Sequence, residues 1–93
     1  MTFLLKHPEA SLDYTVDWGS DYLLGEALAT SDWAVEPGEA GGAVVASSRF
    51  DLLTSTVTVG GGVTGHLYRL TNHVTTTNGR DDSRSIMLRV EKR

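Results

Sequence analysis

The chain has 93 residues, a net charge of −4 and no cysteine, which allows one domain with a modest core and excludes disulfide bonds and thiolate metal sites. The net negative charge argues against a general nucleic-acid-binding protein. No apolar run approaches the ~20 residues of a transmembrane helix, so the composition also argues against a membrane protein.

The chain begins with an apolar segment, Phe3 to Leu5, which Lys6 and Pro8 bring to an end. The segment is too short for a signal peptide and lacks a basic region before it, so we expect a protein made in the cytoplasm. Its side chains need burial, either as an extra edge strand on their own domain or as an arm on a neighbouring subunit. We divide the chain into an N-terminal arm, residues 1–11, and a folded domain, residues 12–93.

Alternating apolar and polar residues predict the first strand of that domain. Its acidic residues take one parity and its apolar residues the other, which is typical of a strand with one buried face. The apolar residues are Leu12, Tyr14, Val16 and Trp18. Residues 19–26 then predict a connection. Four short strand candidates follow, of which the last two are weaker: 27–31, 32–36, 43–48 and 49–53. Between the second and the third, PGEAGG predicts a turn.

The later segments carry clearer strand signals. In residues 55–59, the valines take one parity and the threonines the other. The longest strand is expected at 66–77, with one parity carrying Tyr68, Leu70, Asn72 and Val74. Asn78-Gly79 is a strong hairpin signal, and the last strand, 83–93, directs inward Ile86, Leu88 and Val90.

About seven short strands separated by turns predict an all-β fold, an immunoglobulin-like antiparallel β-sandwich. Trp18 and Trp33 are expected to anchor its core. Tyr68, which follows the glycine-rich turn, is a candidate for the tyrosine corner, in which the hydroxyl bonds to the backbone a few residues upstream.

Charge is divided unevenly along the chain. Residues 1–51 contain nine acids and two bases, a net charge of −7, whereas residues 52–93 contain three acids and six bases, a net charge of +3. Either the acidic and basic strands are neighbours in one fold, or an acidic face meets a basic face on another subunit.

The segment from Gly60 to Gly65 reads G-x-G-x-x-G, with Asp82 about 20 residues further on, as in dinucleotide-binding folds. That fingerprint needs a helix after its last glycine, because helix N-terminal amides hold the pyrophosphate. The residues that follow here predict a strand instead. We therefore expect a turn between two antiparallel strands and no nucleotide cofactor.

The other polar residues predict no catalytic, cofactor-binding or metal site. His66 and His73 are seven residues apart on one strand and so lie on opposite faces, and His7 is in the N-terminal arm. Asp13 and Asp17 share a face but are ~13 Å apart at ~3.3 Å per residue, too far for a catalytic carboxylate pair. The acids Asp81 and Asp82 flank a turn, where acids are common. No nucleophile and base can be paired, so we predict a protein that is not an enzyme.

The order and spacing of several short motifs resemble those of small structural proteins of tailed phages and prophages, described as fiber-tail adaptor proteins. The likeness spans nearly the whole chain except residues 39–53. The matching positions are Leu12-Asp13-Tyr14, Asp17-Trp18, Thr30-Ser31, Trp33, Val35, Gly65, Tyr68-Arg69, Thr71-Asn72, Gly79-Arg80, Arg84-Ser85 and Val90.

The resemblance implies a non-enzymatic virion component located between the tail or neck and the fibres. It would be present in several copies set by the ring that it decorates, with other phage proteins as partners and without catalytic residues. The alternative from another class is a carbohydrate- or cell-surface-binding sandwich module. An exposed aromatic platform would favour that alternative, and the two tryptophans are its candidates.

Overall fold

The computed structural model describes residues 3–23 and 25–92, in which seven strands and one short helix follow one another along the chain. The strands are β1 (Phe3–Lys6), β2 (Leu12–Asp17), β3 (Leu28–Glu36), β4 (Ala43–Phe50), β5 (Thr54–Gly61), β6 (Leu67–Thr76) and β7 (Asp81–Val90). The helix is α1 (Trp18–Asp21). Within these residues no helix has the length and apolar character needed to cross a membrane.

The strands form two sheets, one of four strands in the order β1-β7-β6-β3 and one of three in the order β2-β5-β4. The predicted all-β sandwich is confirmed, whereas its immunoglobulin-like form stays a prediction. One strand pair departs from the antiparallel pattern, because β1 runs parallel to β7. Apolar alternation identifies the buried face of a strand but contains no information about the direction of its partner.

The N-terminal segment is an edge strand on its own domain, the first of the two alternatives considered for it. Leu4 is opposite Leu88 and Lys6 is opposite Val90. Lys6 is buried, and its ammonium donates hydrogen bonds to the carbonyls of Gly61, at 2.6 Å, and of His7. Burial lowers the pKa of Lys6. The division into an arm and a domain at residue 11 stays a prediction. Residues 3–6 of that arm are paired with β7 of the domain.

Several predicted boundaries differ from those observed. The candidates 27–31 and 32–36 are one strand, β3, whose register shifts between Leu28 and Thr30. The candidates 43–48 and 49–53 are likewise one strand, β4, followed by a turn. Helix α1 begins at Trp18, the predicted last residue of the first strand, and runs into the predicted connection. The side chain of Asp17 caps it by accepting a hydrogen bond from the amide of Ser20 at 3.2 Å. A four-residue helix is too short to show a helical period.

The core lies between the two sheets and contains the residues predicted by parity. The fully or almost fully buried residues come from three strands. They are Val57 and Val59 on β5; Tyr68, Leu70, Asn72 and Val74 on β6; and Ile86, Leu88 and Val90 on β7. The predicted tyrosine-corner hydrogen bond is confirmed, because the amide of Val63 donates to the hydroxyl of Tyr68 at 2.9 Å. Alternation therefore identified the buried faces correctly in these strands.

A chain of buried hydrogen bonds joins the two sheets. Trp18 donates through Nε1 to Asn72 Oδ1, and Asn72 donates through Nδ2 to Ser31 Oγ. The Ser31 and Ser55 hydroxyls are bonded at 2.6 Å, and Ser55 Oγ accepts a hydrogen bond from Trp33 Nε1. Buried polar groups are costly unless paired, so this network fixes how the sheets stack.

Candidate functional site: two apolar surfaces at opposite ends

The glycine-rich segment spans the end of β5 and the connection to β6, so the predicted turn is present, but it starts within a strand and joins strands of the two different sheets. Gly60 and Gly61 are part of β5, and Gly65 comes shortly before β6. Strand β6 occupies the place where the nucleotide fingerprint requires a helix, so these glycines have no helix N-terminus with which to bind a pyrophosphate.

The three histidines have separate local contacts. His66 Nδ1 is 2.9 Å from Glu39 Oε1, His73 is opposite Asp32 across β6 and β3, and His7 Nδ1 accepts a hydrogen bond from a nearby amide. Over the described residues, no group of three or more His, Asp or Glu side chains is placed to hold a metal ion.

The acidic residues singled out in the sequence have local structural roles. Asp13 accepts a hydrogen bond from the Thr58 hydroxyl at 2.6 Å, and Asp17 caps α1. Asp81 and Asp82 begin β7, exposed, just after the hairpin turn. None of these contacts resembles a catalytic carboxylate pair.

The two tryptophans do not form an exposed aromatic platform. Trp18 is fully buried and Trp33 is half-buried. Both indole N–H groups donate hydrogen bonds inside the sandwich. Their faces are therefore core surface rather than a sugar-binding surface.

The acidic and basic halves of the sequence are neighbours within one fold, as in the first of the two alternatives, and an Arg–Glu ion pair joins them. Strand β3, from the acidic half, lies beside β6, from the basic half. Arg80 Nη2 is 2.7 Å from Glu26 Oε2. A hydrogen bond with Thr76 and another with Arg80 lower the pKa of Glu26.

The turn between β4 and β5 presents three large apolar side chains to solvent, which we call the tip: Phe50, Leu52 and Leu53. Their exposed fractions are 44%, 68% and 48%. Such a cluster on a small monomeric protein is uncommon and often marks an interaction site. The sequence pattern does not reveal this surface, because residues 49–53 resemble a weak strand.

The tip is held rigidly from both sides. Asp51 Oδ1 accepts hydrogen bonds from the amides of Leu53 and Thr54, at 2.9 and 2.8 Å, and from the Thr54 hydroxyl. These bonds lower the pKa of Asp51. In addition, the amides of Gly19 and Leu28 donate to the carbonyls of Leu53 and Leu52. Because the turn is already ordered, a partner that binds it does not have to order it.

A second apolar surface lies on the outer face of the four-stranded sheet. It is a shallow concavity of about 330 Å³, which we call the outer groove, lined by Glu36, Pro37, Leu67, Arg69 and Met87. Leu67 is 45% exposed, and Leu5 of β1 is 52% exposed. Both are in register with Arg89 of β7, which lies between them. Exposed leucines therefore lie on both sides of Arg89 on this face of the sheet.

The tip and the outer groove are at opposite ends of the molecule, whose longest dimension is 42 Å. The amide of Leu28, the first residue of β3, bonds to the tip, while Glu36, the last residue of β3, lines the outer groove. The nine residues of β3 thus separate the two surfaces. Strand register, which sequence alone does not give, brings the lining residues together.

Comparison with known protein families decides the identity of the chain. A family model described as podophage GP4 fiber-tail adaptor protein gp77 matches residues 6–89. The chain belongs to this family. No curated protein matches the chain.

The fiber-tail adaptor family is a family of phage structural proteins, a non-enzymatic kind of protein. The match begins at the last residue of β1 and ends one residue before the end of β7. It therefore includes the tip and all lining residues of the outer groove. It also includes residues 39–53, which the resemblance in the sequence did not cover.

Proposed function

We propose that this protein is a non-enzymatic component of the phage virion that connects the tail or neck to the tail fibres. The observation that carries the proposal is the match of the fiber-tail adaptor family over residues 6–89. The protein would be made in the host cytoplasm and would act in several copies arranged as a ring. Its partners would be other tail, neck or fibre proteins, rather than nucleic acid or a membrane.

The shape of the molecule supports this function. An adaptor that acts in several copies has to contact other proteins of the virion, its own copies included, and this chain exposes apolar side chains at both ends of its 42 Å length. The tip is convex and rigid, whereas the outer groove is concave with charged residues at its rim. Exposed apolar surfaces of this kind suit contacts with neighbouring proteins of an assembly.

The alternative, a carbohydrate- or cell-surface-binding module, has less support. It depended on an exposed aromatic platform, but Trp18 and Trp33 use their indole N–H groups inside the sandwich. Among the residues that the structure describes, neither tryptophan supplies the exposed ring that this alternative requires.

The test is a phage that lacks this gene, complemented from a plasmid with a tagged copy. Particles made without the protein should lack fibres yet keep packaged DNA, and complementation should restore the fibres in negative-stain electron microscopy. Mass spectrometry should detect the tagged protein in purified virions. If purified wild-type virions contain no copy of the protein, or if particles without it carry normal fibres, the proposal is wrong.

A further inference from the structure

We propose that copies of this chain bind one another head to tail, with the tip of one copy seated in the outer groove of the next. The proposal goes beyond the adaptor role, although it gives the ring of that role a physical basis. It rests on the shapes, charges and positions of two surfaces of the same molecule.

Shape is the first argument. The tip projects Leu52 and Leu53 from a rigid turn, and the outer groove offers an apolar lining from Pro37, Leu67 and Met87. A convex apolar side chain is best desolvated in a concave apolar site, where more atoms touch it.

Charge is the second argument. The tip carries one exposed base and one exposed acid, Arg49 and Asp51, on either side of Phe50. The rim of the outer groove carries one of each sign as well, Glu36 and Arg69. In one orientation Arg49 meets Glu36 and Asp51 meets Arg69, which specifies how the tip enters the groove.

The shape of the tip argues against a symmetric alternative. A stable interface buries about 800 Å² on each partner, and three partly exposed side chains do not supply this in either arrangement, so a contact through the tip is weak between free copies. Two convex tips would also touch over few atoms. The tip is therefore suited to anchoring a contact with a different surface.

The position of the two surfaces determines what such a contact builds. They lie at opposite ends of the chain, so the contact is heterologous, and repeating it produces a closed ring or an open filament. Each copy in a ring makes two contacts, so a contact that is weak between free copies is strengthened on assembly. The isolated protein should accordingly be monomeric when dilute and associate when concentrated.

Cysteine cross-linking tests the contact, because the chain has no cysteine of its own. Leu52→Cys protein is mixed with Leu67→Cys protein under mild oxidation, and dimers are counted by non-reducing electrophoresis. The control mixture replaces Leu67→Cys with Val44→Cys, which lies on the other sheet and is 52% exposed. We expect the first mixture to cross-link about tenfold faster than the control or than either protein alone. Equal rates would overturn the proposal.

Variants that place a charge in each apolar surface provide a second test that does not depend on disulfide geometry. Leu52→Asp disables the tip and Leu67→Asp disables the groove. Each position is exposed enough for the fold to tolerate the change, and circular dichroism checks that both variants are folded. In analytical ultracentrifugation each variant alone should stay monomeric at concentrations where the wild type associates. A mixture of the two should form one-to-one pairs that do not grow further. If neither variant reduces association, the head-to-tail contact is wrong, while the presence of the protein in virions would still support the adaptor role.

Discussion

The indole Nε1 of Trp18 donates a hydrogen bond of 2.8 Å to Oδ1 of Asn72, and both side chains are fully buried. Trp18 is the first residue of α1, directly after β2 of the three-stranded sheet, and Asn72 is on β6 of the four-stranded sheet. Asn72 also donates through Nδ2 to Ser31 Oγ and to the carbonyl of Asp32, both on the neighbouring strand β3. One amide side chain therefore ties α1 to β6 and β3, and Ser31 carries the network on to Ser55 of the other sheet.

Replacing Asn72 with alanine should destabilise the protein strongly. The change leaves the Trp18 N–H buried without an acceptor, which costs about 1–3 kcal/mol before any cavity is counted. Urea denaturation followed by circular dichroism measures the loss. His73→Ala is the control, because it changes the next residue on the exposed face and should stay within about 0.5 kcal/mol of wild type. Equal effects of the two substitutions would contradict a structural role for the network.

Sequence pattern predicted the faces of four strands but not the relations between strands. In β2, β5, β6 and β7 one face is buried, so alternation identified residues such as Val57 and Leu88 as core. Strand β4 is exposed on both faces beyond Val45, and for that reason it shows no alternation and its length was misjudged. The parallel pairing of β1 with β7 depends on a contact between the two ends of the chain.

The two apolar surfaces were beyond sequence reasoning for a similar reason. Leu52 and Leu53 are apolar, and exposure of such residues is decided by the fold rather than by their type. The outer groove combines Pro37, Leu67 and Met87 from three separate places in the chain, which only strand register brings together. The one sequence signal for the tip is Asp51 three residues before Thr54, a spacing typical of a turn closed by an aspartate side chain.

Replacing Tyr68 with phenylalanine should cost about 1–2 kcal/mol, because the amide of Val63 loses its acceptor. Tyr14→Phe is the matched control, since within the described residues the Tyr14 hydroxyl has no hydrogen-bond partner and its ring stacks edge-on against Trp33. Urea midpoints compare the two variants, and hydrogen exchange should show faster exchange of the Val63 amide in Tyr68→Phe alone. An unchanged exchange rate would count against the tyrosine-corner bond.

The glycine-rich turn should be sensitive at one glycine and tolerant at another. Gly62 has a φ of +114°, and a methyl group there would lie 2.6 Å from Cγ2 of buried Val90. Gly62→Ala should therefore lower the free energy of unfolding by about 1–3 kcal/mol or more. At Gly60 the added methyl group meets nothing within 4 Å, so Gly60→Ala should remain within about 1 kcal/mol of wild type.

The same variants test the absence of a nucleotide site in this turn. Calorimetric titration of the wild type and of Gly60→Ala with NAD and with ATP should show no saturable binding, because no helix N-terminus follows the glycines. Saturable binding by the wild type that is lost in a glycine variant would show that the turn recognises phosphate after all.

The ion pair between Glu26 and Arg80 should make stability depend on pH in the acidic range. The Glu26 side chain is 5% exposed and 2.7 Å from Arg80, and the hydrogen bonds with Thr76 and Arg80 hold its pKa below the usual value of 4.5. Because the folded-state pKa is the lower one, ionised Glu26 stabilises the fold at pH values above the usual 4.5. This contribution is lost as the pH falls through the folded-state pKa.

Glu26→Gln cannot ionise at this position, so the variant is the reference against which the pH dependence of the wild type is compared. Urea midpoints of the wild type and the variant, compared from about pH 7 down to about pH 2, should differ most near neutral pH and converge in acid. Glu9→Gln, at an exposed position between β1 and β2, should shift the midpoints little at any pH. A gap between wild type and Glu26→Gln that stays constant over the whole range would mean that the charge of Glu26 contributes nothing to the fold.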